Sequence, residues 1–255
     1  MLRPALLALL LFAQDPVKFE PKAQIGERST IKVTSTLTLE IVTKDSEGTK
    51  KRVVTLDAGE DFVQEVLLEV GGIVRKAKVR CERSFRSKSV EGGTGESWTS
   101  TLQGMNLIVT HGDSPRVEVD GGGELPVGGD AVGAWNAYTR LLPKEAMKAG
   151  DSWKVDVGAV APALWADFEN GSGDLTVKLD RVDQNQATLS LSGTLKGNTR
   201  EGFEGMLELA STSLIFDLAK GRPVSFTLSG TLSLLRKIKE IRPKPGSLTE
   251  EVEVV

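Results

Sequence analysis

The chain has 255 residues, with 32 Lys and Arg against 35 Asp and Glu, a net charge of −3, 39% hydrophobic and 26% charged residues. These are ordinary values for a globular protein, and the slight negative charge gives no footing for nucleic-acid binding. One histidine and one cysteine leave almost no material for catalytic triads or His-based zinc sites, and none for an intramolecular disulfide.

At the start, Arg3 and the apolar run of residues 5–12, with Ala13 behind it, have the form of a cleavable signal peptide over residues 1–13. The alternative is a buried N-terminal strand or helix. The run is too short to span a bilayer, which takes about 20 residues. No cysteine follows it to accept a lipid anchor. Cleavage would leave about 242 residues, exported to a periplasm or the extracellular space.

The first long strand is marked by period-two alternation. Ile31, Val33, Leu37, Leu39 and Ile41 share one face; Thr30, Lys32, Thr34, Thr36, Thr38 and Glu40 share the other. Residues 44–50 read as a turn. A strand over Phe62–Val70 is followed by a Gly71-Gly72 hairpin turn and a return strand from Ile73 toward Val90. On that return strand Ile73, Ala77, Val79, Cys81 and Phe85 fall on the apolar phase, which makes Cys81 a buried thiol. Shorter strands follow around Gly104 and at 115–120.

Residues 121–129 are glycine-rich and read as a linker. Beyond it, Asp130 is placed to cap a helix carrying Trp135, Tyr138, Leu141 and Leu142, and a second helix fits Ala159–Phe168 with Pro162 near its first turn. Alternation then resumes through Trp153–Val157, Leu175–Leu179, Ala187–Leu195, Leu207–Phe216 and Val224–Leu234, with a hairpin turn at Asp217–Gly221. Residues 242–255 read as an extended tail. The segments at 25–33 and 149–155 are similar, each placing a glycine and an acid before a strand. Duplication of a half-domain (24–120 and 130–241) and chance similarity both account for this.

The stretches at 141–157, with Gly150-Asp151-Ser152-Trp153, and at 211–232, with Phe216-Asp217 and Gly221-Arg222-Pro223, resemble exported bacterial β proteins of uncharacterised function. The architecture resembles the half-barrel of periplasmic lipoprotein carriers. That resemblance implies one curved antiparallel sheet wrapped around helices and able to hold acyl chains. It implies no catalytic residues and no cofactor.

Two groups of residues are candidate sites. Trp135, Tyr138, Trp153, Trp165 and Phe168 either line a pocket under the sheet or form the plug that fills it. Lys76, Lys78, Arg80, Arg86 and Lys88 share one phase of the return strand. They form either a basic face for an anionic partner or a solvated face paired with neighbouring acids. His111, ahead of Gly112-Asp113, reads as an exposed turn residue, and the acidic groups near 167–174 and 180–185 as turn chemistry. No metal site is expected.

The expected fold is mainly β: a large curved antiparallel sheet, half-barrel or open barrel, with one or two short helices in a single domain, 14–241. Two smaller β domains meeting at the linker are the alternative. The expected role is a soluble, exported, non-enzymatic carrier of a lipid or other hydrophobic ligand. An envelope interaction module acting through its basic face, on an anionic membrane surface or an envelope protein, is the second. A carboxylate hydrolase comes last. No transmembrane segment is expected.

Overall fold

The structure is a computed structural model and describes residues 15–45, 48–112, 115–126, 129, 132, 138–164, 168–199, 202–235 and 251–254. The proposed signal peptide lies outside them. It is mainly antiparallel β, with twelve strands and one short helix among the described residues.

The strands divide between two open sheets. The first holds β1 (Arg28–Asp45), β2 (Gly48–Val70), β3 (Ile73–Val90), β4 (Glu96–Thr99), β5 (Asn106–Thr110), β6 (Arg116–Val119) and β12 (Glu251–Val254), in the order β12-β1-β2-β3-β5-β6 with β4 also on β3. The second runs β11-β10-β9-β8-β7, from β7 (Ser152–Val155), β8 (Phe168–Asp183), β9 (Gln186–Thr199), β10 (Glu204–Asp217) and β11 (Arg222–Leu235). The glycine-rich stretch falls between them. Its Leu125 packs on the first core together with Val132.

Some elements differ from the sequence expectation. Residues 48–70 form one 23-residue strand, not two pieces, because Gly59 continues the ladder opposite Thr34 and Phe85. Within the expected tail, Glu251–Val254 pair with β1, Ile41 opposite Val254 and Lys44 opposite Glu251. The helix α1 spans Val157–Leu164, two residues earlier than expected at its start. Asp156 sets that start: its Oδ1 accepts the Gly158 amide at 3.0 Å, a helix N-cap. Val157, Val160, Ala161 and Leu164 are buried, which is one helical face turned to the second core. The residues expected to form the other helix lie mostly outside those described; Tyr138–Leu141 form a single 3₁₀ turn.

The second sheet bends around α1 through glycine. Gly171 lies so close to the helix that an added Cβ would stand 2.5 Å from the Ala161 methyl. Gly173 and Gly193 have φ of 132° and 129°, a region L side chains avoid. A register gap between Leu209 and Leu214 breaks the β9–β10 ladder. There the Thr212 hydroxyl accepts from the Leu191 amide and donates to the Leu191 carbonyl, closing the gap inside the core.

The two similar segments build the same turn. Gly26 N–H donates to the Val66 carbonyl and Val66 N–H to the Glu27 carbonyl; Gly150 does the same with Leu179, and Leu179 with Asp151. The acid side chain closes each turn, Glu27 on the Gln24 amide and Asp151 on the Lys148 amide.

A strap, residues 16–27, joins the two sheets. Val17 bridges to Met147, and Phe19 is buried in the second core, its ring 5.6 Å from Phe216 and 6.5 Å from Trp153. Lys22 donates to the Leu218 carbonyl, Ala23 N–H to the Gly72 carbonyl, and Glu27 pairs with Arg222. The strap passes over a glycine in a hairpin turn of each sheet. A Cβ on Gly72 would lie 1.9 Å from the Pro21 oxygen, and one on Gly221 2.3 Å from the Glu20 oxygen.

Candidate functional site

Two of the five aromatic candidates can be placed by their side chains. Trp135 and Trp165 lie outside the described residues. Phe168 opens β8 opposite Thr199. Tyr138 and Trp153 pack on the second core, and the Trp153 Nε1–H donates to the Leu141 carbonyl at 2.9 Å. Burial holds the Tyr138 hydroxyl protonated, its pKa pushed up to about 12. Both pack against the second core, Trp153 with its ring 6.5 Å from that of Phe19.

The basic residues of β3 do not share one face. Cys81 pairs with Phe62 and Arg83 with Asp61, so Glu82 is an extra residue in β3 and a β-bulge reverses the alternation beyond it. Before the bulge Lys78 and Arg80 point outward, where they meet Asp120 at 2.7 Å and Glu82 at 3.1 Å. After it, Arg83 and Phe85 take the outer face, the guanidinium 5.4 Å from the ring centroid. Phe85 therefore leaves the apolar phase expected for it and lies over Gly59. Arg86 and Lys88 turn inward. No glycine or proline marks residues 81–83, which is why the alternation carries no sign of the slip.

The outer face is a paired one. Beside the pairs above, Arg28 meets Glu65 at 2.7 Å, Arg83 meets Asp61 at 3.3 Å, and Thr36 donates to Asp57. Asp57, Asp61 and Glu65 of this face lie on the central strand β2 and their partners on the flanking strands, an arrangement of compensating cross-strand pairs.

The inner face carries the second group. Register places Val33, Glu60 and Ser84 in one row across β1, β2 and β3. The next row is Ser35, Ala58, Arg86 and Trp98, and the next Leu37, Leu56, Lys88 and Glu96, each reaching β4. The first row seals the end of the first core: Ser84 is buried, Glu60 pairs with Arg86, and Gln103 accepts the Ser84 amide. Beyond it Leu37, Leu56 and Ala58 are half-buried and Trp98 is 48% exposed. Among the described residues Lys88 makes no ion pair. Trp98 escaped sequence reasoning because it stands alone in a short exposed strand.

Cys81 lies in the first core, as its place in the alternation predicts, and burial with the nearby Glu60 charge pushes its thiol up to about 11. His111 departs from the exposed turn expected of it. Its amide extends the β3–β5 pairing onto the Arg75 carbonyl, and both ring nitrogens are shut off from solvent. Among the acidic groups, Asp174 pairs with Lys154 and Asp180 with Lys178 on the surface. No three metal-ligating side chains converge among the described residues, and no described helix is long and apolar enough to cross a membrane.

No family model matches the chain, and no curated protein matches it. Among solved structures it is similar to a Vibrio parahaemolyticus domain described as an outer membrane lipoprotein-sorting protein domain. The match covers 81% of this chain and 87% of that one at 11% identity, with a TM-score of 0.14. At that score the likeness carries no argument about fold or function.

Proposed function

We propose that the chain is an exported, non-enzymatic binding protein that takes a lipid or other hydrophobic ligand on the inner face of its long-stranded sheet. The observation that carries this reading is the patch formed by Leu37, Leu56, Ala58 and Trp98: aliphatic and aromatic side chains on the core side of the long strands β1 and β2 and the short β4, between the first core and the buried Val54. No cofactor enters the reading, and catalysis is not part of it. The compensating pairs on the outer face weigh against a basic interaction surface as the main activity.

The physical scale is modest. Burying one methylene contributes about 0.8 kcal/mol, and an open sheet face covers about half of a chain laid on it. Each added methylene should then tighten binding about twofold. A homologous series of alkanols, read by displacement of a hydrophobic fluorophore, measures this directly. Leu37→Asp with Leu56→Asp should abolish displacement while leaving the β-sheet circular dichroism unchanged. Affinity that does not rise with chain length, or that survives the double substitution, would refute the proposal.

A further inference from the structure

We infer that the ligand is an anionic amphiphile, with its acid group held by Lys88 and Arg86 and its hydrocarbon laid over Leu37, Leu56 and Ala58 against Trp98. The inference rests on the proposed hydrophobic-ligand reading and names the ligand's chemical class.

The bulge at Glu82 decides which way the two cations face. Without it, residues 86 and 88 would continue the outward phase of Lys78 and Arg80, among the acids of that face. The extra residue brings both cations to the apolar side of the sheet. A cation among aliphatic side chains is costly unless something compensates it. Arg86 has one compensating partner, Glu60, which is only 15% exposed and lies on the core side. One of its other N–H groups donates to the Phe85 carbonyl at 3.2 Å. The Arg86 side chain is 30% exposed, and its guanidinium has further donors for a second acceptor. Lys88 is exposed and stands one row further out, across from Leu56. Glu96, its neighbour on β4, is opposite in register but forms no ion pair with it among the described residues.

The patch thus has two cations on β3, aliphatic residues on β2 and β1 to one side of it, and an indole on β4 to the other. Trp98 stands directly opposite Arg86, where it covers the junction between an acid group and the first methylenes. An ionised carboxylate or phosphate on a single alkyl chain matches both halves. A neutral lipid would leave Lys88 without an acidic partner and the remaining Arg86 donors without an acceptor from the ligand. The acids that face the site are Glu60 and Glu96. Glu60 is engaged by Arg86; Glu96 opposes an anionic ligand, so its removal should help binding.

The test compares decanoate with decanol on the full mature chain at low salt, using Trp fluorescence and fluorophore displacement. Decanoate should bind roughly five- to tenfold more tightly, the scale of a partly desolvated charge-assisted hydrogen bond, and the preference should shrink as salt rises. Lys88→Glu should erase the preference, Glu96→Gln should widen it, and Arg86→Lys, which keeps the pair with Glu60, should reduce it. Equal affinity for both ligands overturns this inference and leaves the hydrophobic-ligand reading standing. So does a preference that Lys88→Glu leaves intact. Failure of both ligands to bind overturns the reading itself.

Discussion

Gly193 and Gly173 are positions where one atom decides the local fold. An added Cβ would stand 1.9 Å from the Asp174 oxygen at Gly193 and 2.1 Å from the Thr194 oxygen at Gly173, at backbone angles that already disfavour any other residue. Gly193→Ala should cost about 3 kcal/mol or more, combining a strained backbone with a clash against a ladder carbonyl. Urea unfolding measures it, with Gly112→Ala, where nothing lies within 4 Å and φ is not positive, as the neutral control. Cys81 gives a pH prediction. Its folded pKa of about 11 exceeds the ordinary thiol value of 9.0, so the folded chain holds a proton that the unfolded chain releases. Stability from this group is complete below about pH 9 and falls as pH rises from there through about 11. Tyr138 adds a further loss between its ordinary 10.0 and about 12. The urea midpoint should therefore be level near neutrality and decline above about pH 9, with the first part of the decline absent in Cys81→Val. A midpoint that rises through that window would contradict the assignment. Both residues also show what was legible: the alternation located the buried thiol, whereas no local signal distinguished the strained glycines from the other turn glycines.

At the scale of elements, the bulge in β3 matters most. It converts a strand that reads as one basic face into a strand with a paired outer half and an inward-facing basic half. The Glu60–Arg86 pair fixes the phase after the slip. Arg86→Met would leave Glu60 as a largely buried carboxylate without its partner, which should cost about 3 kcal/mol. Adding Glu60→Gln should restore most of that loss, a coupling that a double-mutant cycle in urea reads out. If the two substitutions simply add, the pair does not hold the phase. Strand positions were legible because a period of two is imposed wherever one face is buried. The slip was not, since an extra residue is invisible when the side chains around it are all polar or all tolerated on either face. Similarly, Asp156 rather than Pro162 sets the beginning of α1, a choice that rests on a single side-chain hydrogen bond.

For the molecule as a whole, two open sheets are joined through the strap at 16–27. The strap's contacts were hidden from sequence reasoning, since Phe19 and Lys22 meet residues about 200 positions away. Phe19→Ala should destabilise the second core by about 3–5 kcal/mol, as truncations of buried aromatics do. Amide exchange should show β10 losing more protection than β2, because Phe19 packs on Phe216 of β10; equal losses would mean the sheets unfold as one unit. The mainly-β, open antiparallel architecture followed from the alternation. The division into two sheets and the placement of the inner patch required the register.

Whether the inner face of β1–β3 receives the hydrophobic ligand is read out by a methyl-resolved NMR titration with decanol. Shifts should concentrate on Leu37, Leu56 and Ala58 and on the Trp98 indole, with Leu175, Leu189 and Leu214 of the second core unmoved. Shifts confined to the second core, or none at ligand saturation, would contradict binding there.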